Sequence, residues 1–323
     1  MLVTGAGGCI GSALVAAVAA AGPARLVLLD SSENNLFTIE QRLEISHEAI
    51  LGSVTDAGLL DGLFNRFHPA IVYHAAALKH VPLLELNPLA AVRNNALGTY
   101  TLAQTALRHG AAKLVLVSTD KAVNPHSIMG ASKRLAELTV AALTAPQCRM
   151  NAVRLGNVIG SSGSVVPIFR EQIARRGPVT VTHPEAERYF MSLDEAVHAI
   201  LAAGAAECSG RVLLPELGAP QRILDLARYL IGDGEIPIRF IGLRPGEKLN
   251  EELIFRTEIR DGILDGPLEV IVTPSPAEDE LHRLMAELAC RLAGEDLAGI
   301  LAAISAVVPE YEPSSLVLSK AER

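Results

Sequence analysis

The chain has no tryptophan, and aromatic residues fill only 4% of its 323 positions. Its apolar half is therefore aliphatic, a composition suited to helices packed on buried parallel strands. Charge is also sparse, at 20% of residues, and with a mean hydropathy of +0.31 this excludes disorder as the overall state. A basic excess is missing. The net charge is −8 and the pI about 5.6, so no continuous positive field is present to hold a nucleic-acid backbone. A single phosphate needs only a few donors and remains accessible to such a chain. The four cysteines, Cys9, Cys148, Cys208 and Cys290, form no C-x-x-C pair and are expected to stay reduced in a cytoplasm. The nine histidines show neither H-x-x-x-H nor H-E-x-x-H spacing, so no metal site is expected. No stretch reads as the ~18 or more uncharged apolar residues of a spanning helix. Residues 1–24 carry no charge, but they lack a basic leading segment, and Gly5, Gly7, Gly8 and Gly11 would break the apolar helix of a signal peptide.

What is present is a βαβα rhythm. Strands are expected at 1–4, 25–30, within 47–52, and at 70–74, 113–118 and 150–154. Helices are expected at 10–21, 33–43, 56–67, 87–109 and 132–145. This alternation predicts a doubly wound parallel α/β sheet covered on both faces. After residue 156 glycine, serine and proline interrupt the rhythm, which suggests a smaller, loop-rich substrate-binding domain. The expected division assigns 1–156 and 187–218 to the sheet domain, 157–186 and 219–310 to the smaller one, and 311–323 to a loose tail. A helix at 193–206 is expected to return to the sheet.

Gly5-Ala-Gly-Gly-Cys-Ile-Gly11 stands between the first strand and the first helix. Gly5 permits the tight turn, Gly8 lets backbone N–H groups approach a pyrophosphate, and Gly11 lets the helix pack close to the sheet. Cys9 and Ile10 open that helix, whose N-terminus favours an anion. Asp30 closes the second strand, 19 residues beyond Gly11, where a carboxylate binds a ribose diol and repels a 2′-phosphate. The expected cofactor is NAD rather than NADP.

The G-x-x-G-x-x-G spacing resembles the extended short-chain dehydrogenase/reductases. The resemblance places Ala75 and Ala76 beside the nicotinamide, Asn95 in the network that steadies the site, and Lys133 on the nicotinamide ribose. It also exposes a departure, because the superfamily's Tyr-x-x-x-Lys reads Met129-Gly-Ala-Ser-Lys133 here, and a thioether cannot exchange a proton. Longer strings narrow the family: His74-Ala-Ala-Ala-Leu-Lys-His-Val-Pro-Leu-Leu-Glu85, Ser118-Thr-Asp-Lys-Ala-Val-Asn-Pro125, Arg154-Leu-Gly-Asn-Val-Ile-Gly-Ser-Ser-Gly-Ser-Val-Val-Pro167, Arg188-Tyr-Phe-Met191 and Leu243-Arg-Pro-Gly-Glu-Lys248. Over about residues 1–255 these resemble the CapD/WbpM-type polysaccharide-biosynthesis nucleotide-sugar 4,6-dehydratases, whose long members carry Met at the position of Met129. Those members have N-terminal transmembrane helices that tether the catalytic region to the cytoplasmic side of the membrane. The expectation is an excised catalytic domain or a naturally short relative, self-associating through the 89–109 and 132–145 helices.

The resemblance implies dehydration of UDP-N-acetylglucosamine to a 4-keto-6-deoxy sugar. Asp120 and Lys121, at the carboxyl end of a strand, supply an acid and a base where α/β sheets place their sites. Lys121 is expected as the C5 base, its pKa lowered by Lys133 and the nicotinamide, and Asp120 as the C6 acid, the two titrating together. Thr119, favoured by the family pattern, or Ser118 is expected at the C4 hydroxyl, whose proton is expected to leave through a water to Asp120 or Lys133. Asn157 and the 161–167 loop, with Ser164 and Val165, are expected on the UDP, Arg244 on the diphosphate and Glu247 on the uridine ribose, with Lys79 and His80 near the sugar. Ser53 stands where the family often has an acid near adenine, and Asp56 is expected to compensate. The alternatives are C5-inverting dehydration, 4-epimerisation, or a non-catalytic sugar-nucleotide binder. The intact Asp120-Lys121 pair argues against the last.

Overall fold

The computed structural model describes residues 1–161, 163–264 and 267–322. The first half runs β1 (Leu2–Thr4), α1 (Cys9–Ala20), β2 (Leu26–Asp30), α2 (Glu33–Glu40), β3 (His47–Leu51), α3 (Ala57–Phe67) and β4 (Ile71–His74). It continues through α4 (Val81–Leu86), α5 (Pro88–Ala91), α6 (Gly98–Arg108), β5 (Lys113–Thr119), α7 (Ile128–Ala142) and β6 (Arg149–Leu155). Serine and aspartate set the helix starts: Ser32, Asp56 and Ser127 each accept a backbone N–H in the first turn of α2, α3 and α7. The helix expected over 87–109 is interrupted, because Val92–Leu97 forms a π-helical turn between α5 and α6. α7 begins four residues earlier than expected, at its Ser127 cap.

The second half adds β7 (Asn157–Val158), α8 (Val165–Ala174), β8 (Val179–Val181), β9 (Glu187–Arg188), β10 (Phe190–Met191), α9 (Leu193–Ala205), β11 (Arg211–Pro215), β12 (Gln221–Arg222), α10 (Ile223–Ile231) and β13 (Ile238–Phe240). It closes with β14 (Ile259–Leu264), β15 (Leu268–Val272), α11 (Glu278–Ala293), α12 (Leu297–Val307) and α13 (Ser315–Ala321). Among the described residues the main sheet has the order β14-β15-β11-β6-β5-β4-β1-β2-β3. Pairing is parallel from β3 to β11 and antiparallel at β15 and β14. The inner strands are buried on both sides: every residue of β2, from Leu26 to Asp30, is buried. β1 leads out to β2 on one side and β4 on the other, so the crevice at their carboxyl ends is the switch point where such sheets bind ligands. A small third core of Phe169, Val179, Val181, Ala186, Ile223 and Ala227 holds α8, β8 and α10 above that crevice.

Three expectations are corrected. Residues 259–310 do not belong to the smaller part. β14 and β15 extend the large sheet, and Leu281, Leu284, Leu288, Ile300 and Ile304 of α11 and α12 join the core on one of its faces. The tail is not loose over its described part: Tyr311 and Val317 are buried, and Ser314 hydrogen-bonds the buried Glu85. Arg323 lies outside the described residues. The third concerns the 132–145 helix, expected as an exposed face, which is covered within the chain. α7 is buried from Ile128 through Val140, α11 packs over it, and Tyr100 Oη of α6 meets His282 Nδ1 of α11 at 2.7 Å. Among the described residues no helix is long and apolar enough to cross a membrane.

Behind the crevice lies a buried charge cluster. Arg154, wholly inaccessible, places Nη2 2.8 Å from Glu137 and Nη1 2.9 Å from Glu258, while Arg134 reaches the same two carboxylates at 3.1 and 3.3 Å. Its two cations and two anions balance, and the guanidinium forks satisfy several carboxylate lone pairs, which offsets the cost of burial. Arg154→Met should lower unfolding free energy by about 3–5 kcal/mol, because two carboxylates would remain buried with one cation. A urea melt showing a loss under 1 kcal/mol would contradict this reading of the cluster. Leu288→Ala, in the face that α11 lays on the core, should cost about 3 kcal/mol by the same measurement.

Candidate functional site

The glycine loop is built by close contact. Gly5 takes φ +66°, and a Cβ there would stand 2.7 Å from the Ala76 backbone. A Cβ on Gly11 would meet Gly5 O at 1.9 Å, so α1 can approach the loop only without a side chain at that position. Gly8 caps α1, Cys9 and Ile10 form its first turn, and Ile10 packs against the core. Asp30 ends β2 and is buried. Its Oδ2 accepts the Gly7 N–H and its Oδ1 the Ser32 N–H, both at 2.8 Å. Gly5, Gly8, Asp30, Asn35, Ser53, Ala75 and Ala76 line one pocket at the β1–β2 end of the crevice. Asp56 does not join them: it is exposed and spent as the α3 cap, accepting Leu59 N–H at 2.9 Å. The position beside the pocket belongs to Ser53.

A larger cavity of about 670 Å³ adjoins it, lined by Cys9, Lys79, His80, Thr119, Lys121, Met129, Lys133, Asn157, Ser164, Val165, Arg244 and Glu247, among others. The sequence-expected residues thus converge from the start of α1, the segment after β4, the end of β5, α7, β7, the start of α8 and the 244–247 turn. Three of the expected residues are held by partners within the protein. Asn95 does not reach the cavity: it is buried in the π-helical turn, accepts Leu78 N–H at 2.9 Å and donates to Leu78 O and Ser132 Oγ at 2.9 and 3.0 Å. It braces the wall. Arg244 and Glu247 bind each other, with Arg244 Nε donating to Glu247 Oε1 at 2.9 Å. Ser162 of the expected 161–167 contact loop lies outside the described residues. His80 closes against that loop, since a Cβ on Gly163 would stand 2.5 Å from its ring.

The chemistry-bearing turn follows β5. Ser118 is committed backwards, donating to Glu137 Oε1 at 2.7 Å, which leaves Thr119 as the hydroxyl facing the cavity's reactive end. Thr119 Oγ1 donates to Asp120 Oδ1 at 2.9 Å. Asp120 is wholly buried behind Thr119 and Lys121, and its Oδ2 has no hydrogen-bond partner. Lys121 Nζ donates to Asp120 Oδ1 and to Asn157 Oδ1, each at 2.9 Å. Gly130 lets α7 pack on this turn, because a Cβ there would lie 2.2 Å from Lys121 O. Burial alone would lower the Lys121 pKa, but the charges of Asp120 and Glu251 outweigh it and hold the ammonium above its ordinary value. The expected lowering by Lys133 is thereby corrected. Lys133 is itself the depressed lysine, pushed down to about 8 by burial, against the pull of Glu137, with Nζ donating to Val117 O at 2.6 Å.

Among the lining residues not singled out from sequence as site residues are Arg188, Lys248 and Glu251. The first and second lie within quoted strings, whereas Glu251 stands just beyond one. Arg188 donates to the carbonyls of Lys248 and Leu249 at 2.7 and 2.8 Å, which draws the 248–251 segment under Lys121. His74, on the β4 edge of the crevice, stays neutral. Burial and Lys133 press its pKa down to about 3, between Thr4 Oγ1 at 2.7 Å and Thr99 Oγ1 at 2.9 Å.

Comparison with known proteins adds the family. The capsular polysaccharide biosynthesis protein CapD of Staphylococcus aureus is 46% identical over 272 residues, and the probable polysaccharide biosynthesis protein EpsC of Bacillus subtilis is 43% identical over 271. Each match covers 80% of this chain, but the chain spans only 45% of the length of either relative. A UDP-glucose 4-epimerase of Rickettsia conorii is 31% identical over 80% of this chain and 78% of its own. Among solved structures, Pen from Bacillus thuringiensis superposes with TM-score 0.79 at 26% identity, covering 89% of this chain and 97% of that one. DesIV of Streptomyces venezuelae, a dTDP-glucose 4,6-dehydratase with NAD bound, superposes at 0.71 over 78% of this chain and 87% of its own. At 23% identity DesIV speaks for the fold alone. The sequence pattern of polysaccharide biosynthesis proteins matches residues 1–265, a span holding the glycine loop, the Thr119–Lys121 turn and the segment that brings Glu251 to it, and by that match this chain belongs to the polysaccharide biosynthesis protein family.

Proposed function

We propose that this chain catalyses the NAD-dependent 4,6-dehydration of UDP-N-acetylglucosamine, giving a UDP-4-keto-6-deoxy sugar for surface polysaccharide synthesis. The observation that carries this reading is the Thr119–Asp120–Lys121 arrangement, a buried carboxylate bonded at 2.9 Å to both a hydroxyl and an ammonium on the cavity wall. A binder of sugar nucleotides has no need of a proton carrier hidden behind its wall. An epimerase has no need of a second proton-transfer group aimed at C5 and C6.

The residues fit NAD on two observations. The spaces beside Gly5 and Gly11 would be filled by any Cβ, which leaves the loop backbone open to a pyrophosphate at the α1 N-terminus. Asp30 faces the pocket where the adenosine ribose would lie, and its charge disfavours a 2′-phosphate. Lys133 would hold the nicotinamide ribose. Bound NAD supplies the acceptor and then the donor for the two electrons that leave C4 and return at C6.

The protein's own residues carry the protons. The C4 hydroxyl donates to Thr119 Oγ1, which passes its own proton to Asp120 Oδ1, so the threonine relay does the work that Met129 cannot. Lys121, when neutral, takes the C5 proton that the new ketone acidifies. The electron pair forms C5=C6, the C6–O bond breaks, and Asp120 returns its proton through Thr119 to the departing oxygen, which leaves as water. Lys121 finally gives its proton back to C5. Ser164 at the start of α8, whose Oγ has no hydrogen-bond partner, and Arg244 would bind the diphosphate, with Asn157, Val165 and Glu247 toward the UDP and Lys79 and His80 toward the sugar.

The direct test is to incubate the protein with UDP-N-acetylglucosamine and NAD and follow the sugar by proton NMR. A new C6 methyl signal beside a C4 ketone is expected, and unchanged substrate or a 4-epimer would reject the reading. Asp120→Asn and Lys121→Met should each slow product formation by roughly 10²–10⁴-fold, and near-normal turnover in either sinks the assignment. Thr119→Val should behave like Asp120→Asn, whereas Thr119→Ser, which keeps the hydroxyl, should retain most activity. Gly11→Ala should weaken NAD binding measured by calorimetry, because its methyl would displace α1 from the loop.

A further inference from the structure

Lys121 poses a problem that the mechanism leaves open. The C5 base must be neutral, yet the resting geometry keeps this side chain as an ammonium between two carboxylates. Asp120 cannot both hold the Lys121 proton and accept the one from the C4 hydroxyl. The other carboxylate is Glu251, on the cavity wall, 92% buried by its 8% exposure, with Oε1 3.8 Å from Lys121 Nζ. Its Oε2 is buried with no hydrogen-bond partner among the described residues. The remaining charged groups near it are Arg188, with Nε 3.6 Å from Oε1, and Lys248, with Nζ 3.8 Å from Oε2 and donating to Val123 O. Asp120 and Glu252 lie farther along the same turn and segment and act on Lys248.

We propose that Glu251 is a positioning residue that stores the Lys121 proton during turnover, so that the base is freed within the site rather than by solvent. The inference rests on the dehydration reading above. The protons balance. At rest the three groups are Asp120 carboxylate, Lys121 ammonium and Glu251 carboxylate. Transfer of one proton from Nζ to the Glu251 carboxylate gives Lys121 amine and Glu251 carboxylic acid at unchanged total charge. The C4 hydroxyl proton then neutralises Asp120, Lys121 takes the C5 proton, Asp120 releases its proton to the leaving C6 oxygen, and Lys121 returns the C5 proton. After product leaves, Glu251 hands its proton back. Arg188 and Lys248 flank Glu251, and the proton crosses when Lys121 turns from Asp120 toward the sugar. A separation of 3.8 Å is short enough for such a turn to close.

The test compares wild type, Glu251→Gln and Glu251→Asp from about pH 6.5 to 9. The wild-type rate should be nearly flat with pH. Glu251→Gln should lose roughly 10²-fold at neutral pH and recover about tenfold per pH unit, as hydroxide takes over the freeing of Lys121. Glu251→Asp should restore the flat profile at reduced rate. A pH-independent loss in Glu251→Gln, or a rate equal to or above wild type at neutral pH, overturns the proposal. A second arm needs no turnover: the Lys121 Nζ titration, followed by NMR of lysine-labelled protein without substrate and assigned with Lys121→Met. Its midpoint should fall in Glu251→Gln, and an unchanged midpoint overturns the proposal. If wild type forms no 4-keto sugar, the reaction reading fails, and the titration still decides whether Glu251 and Lys121 share a proton.

Discussion

Arg154 is a cation with no access to water, held between Glu137 of α7 and Glu258 of the segment that returns from the small part. Everything reactive in the site hangs from elements that this guanidinium joins. Glu137 receives Ser118 from the end of β5, which sets the direction of the next residue, Thr119. Arg154 also donates to Leu253 O at 2.7 Å, two residues beyond Glu251. One buried group thus fixes the strand end that carries Thr119, Asp120 and Lys121, the helix that carries Met129 and Lys133, and the chain that carries Glu251. A buried ion network of this kind adds little net stability over an apolar one, but it specifies one arrangement of its ligands, and placement is what proton transfer requires.

The second consequence concerns Met129. The thioether is buried on the cavity wall and cannot exchange a proton. The hydroxyl of Thr119 and the carboxylate behind it form a path in which the group exposed to substrate is neutral and the charge is sheltered. Keeping Asp120 out of water strengthens its coupling to Lys121, since both lie where dielectric screening is weak.

Local signals carried far in the sequence, and long-range ones did not. The Gly5–Gly11 loop, Asp30 and Thr119–Lys121 were legible because each is a short string at the end of a strand, where chain direction alone decides what faces the crevice. Asp56 misled because an aspartate before a helix has two uses, and capping won. The 87–109 helix misled because a π-helical turn interrupts it without leaving a mark in apolar spacing. Glu251 sits 130 residues beyond Lys121, within a span read as substrate domain, and only the fold brings the two to 3.8 Å. The covering of α7 by α11 was hidden for the same reason: α11 reads as an ordinary amphipathic helix until its partner is known.

The central claim is that one active site moves hydrogen within the sugar while releasing water. It is tested most directly with UDP-N-acetylglucosamine carrying deuterium at C4, converted in ordinary water and examined by NMR and mass spectrometry. The account predicts that the deuterium reappears in the C6 methyl group of a 4-keto product, with water lost and C5 still carrying hydrogen. Deuterium retained at C4 in a product of unchanged mass would identify epimerisation instead and contradict the account.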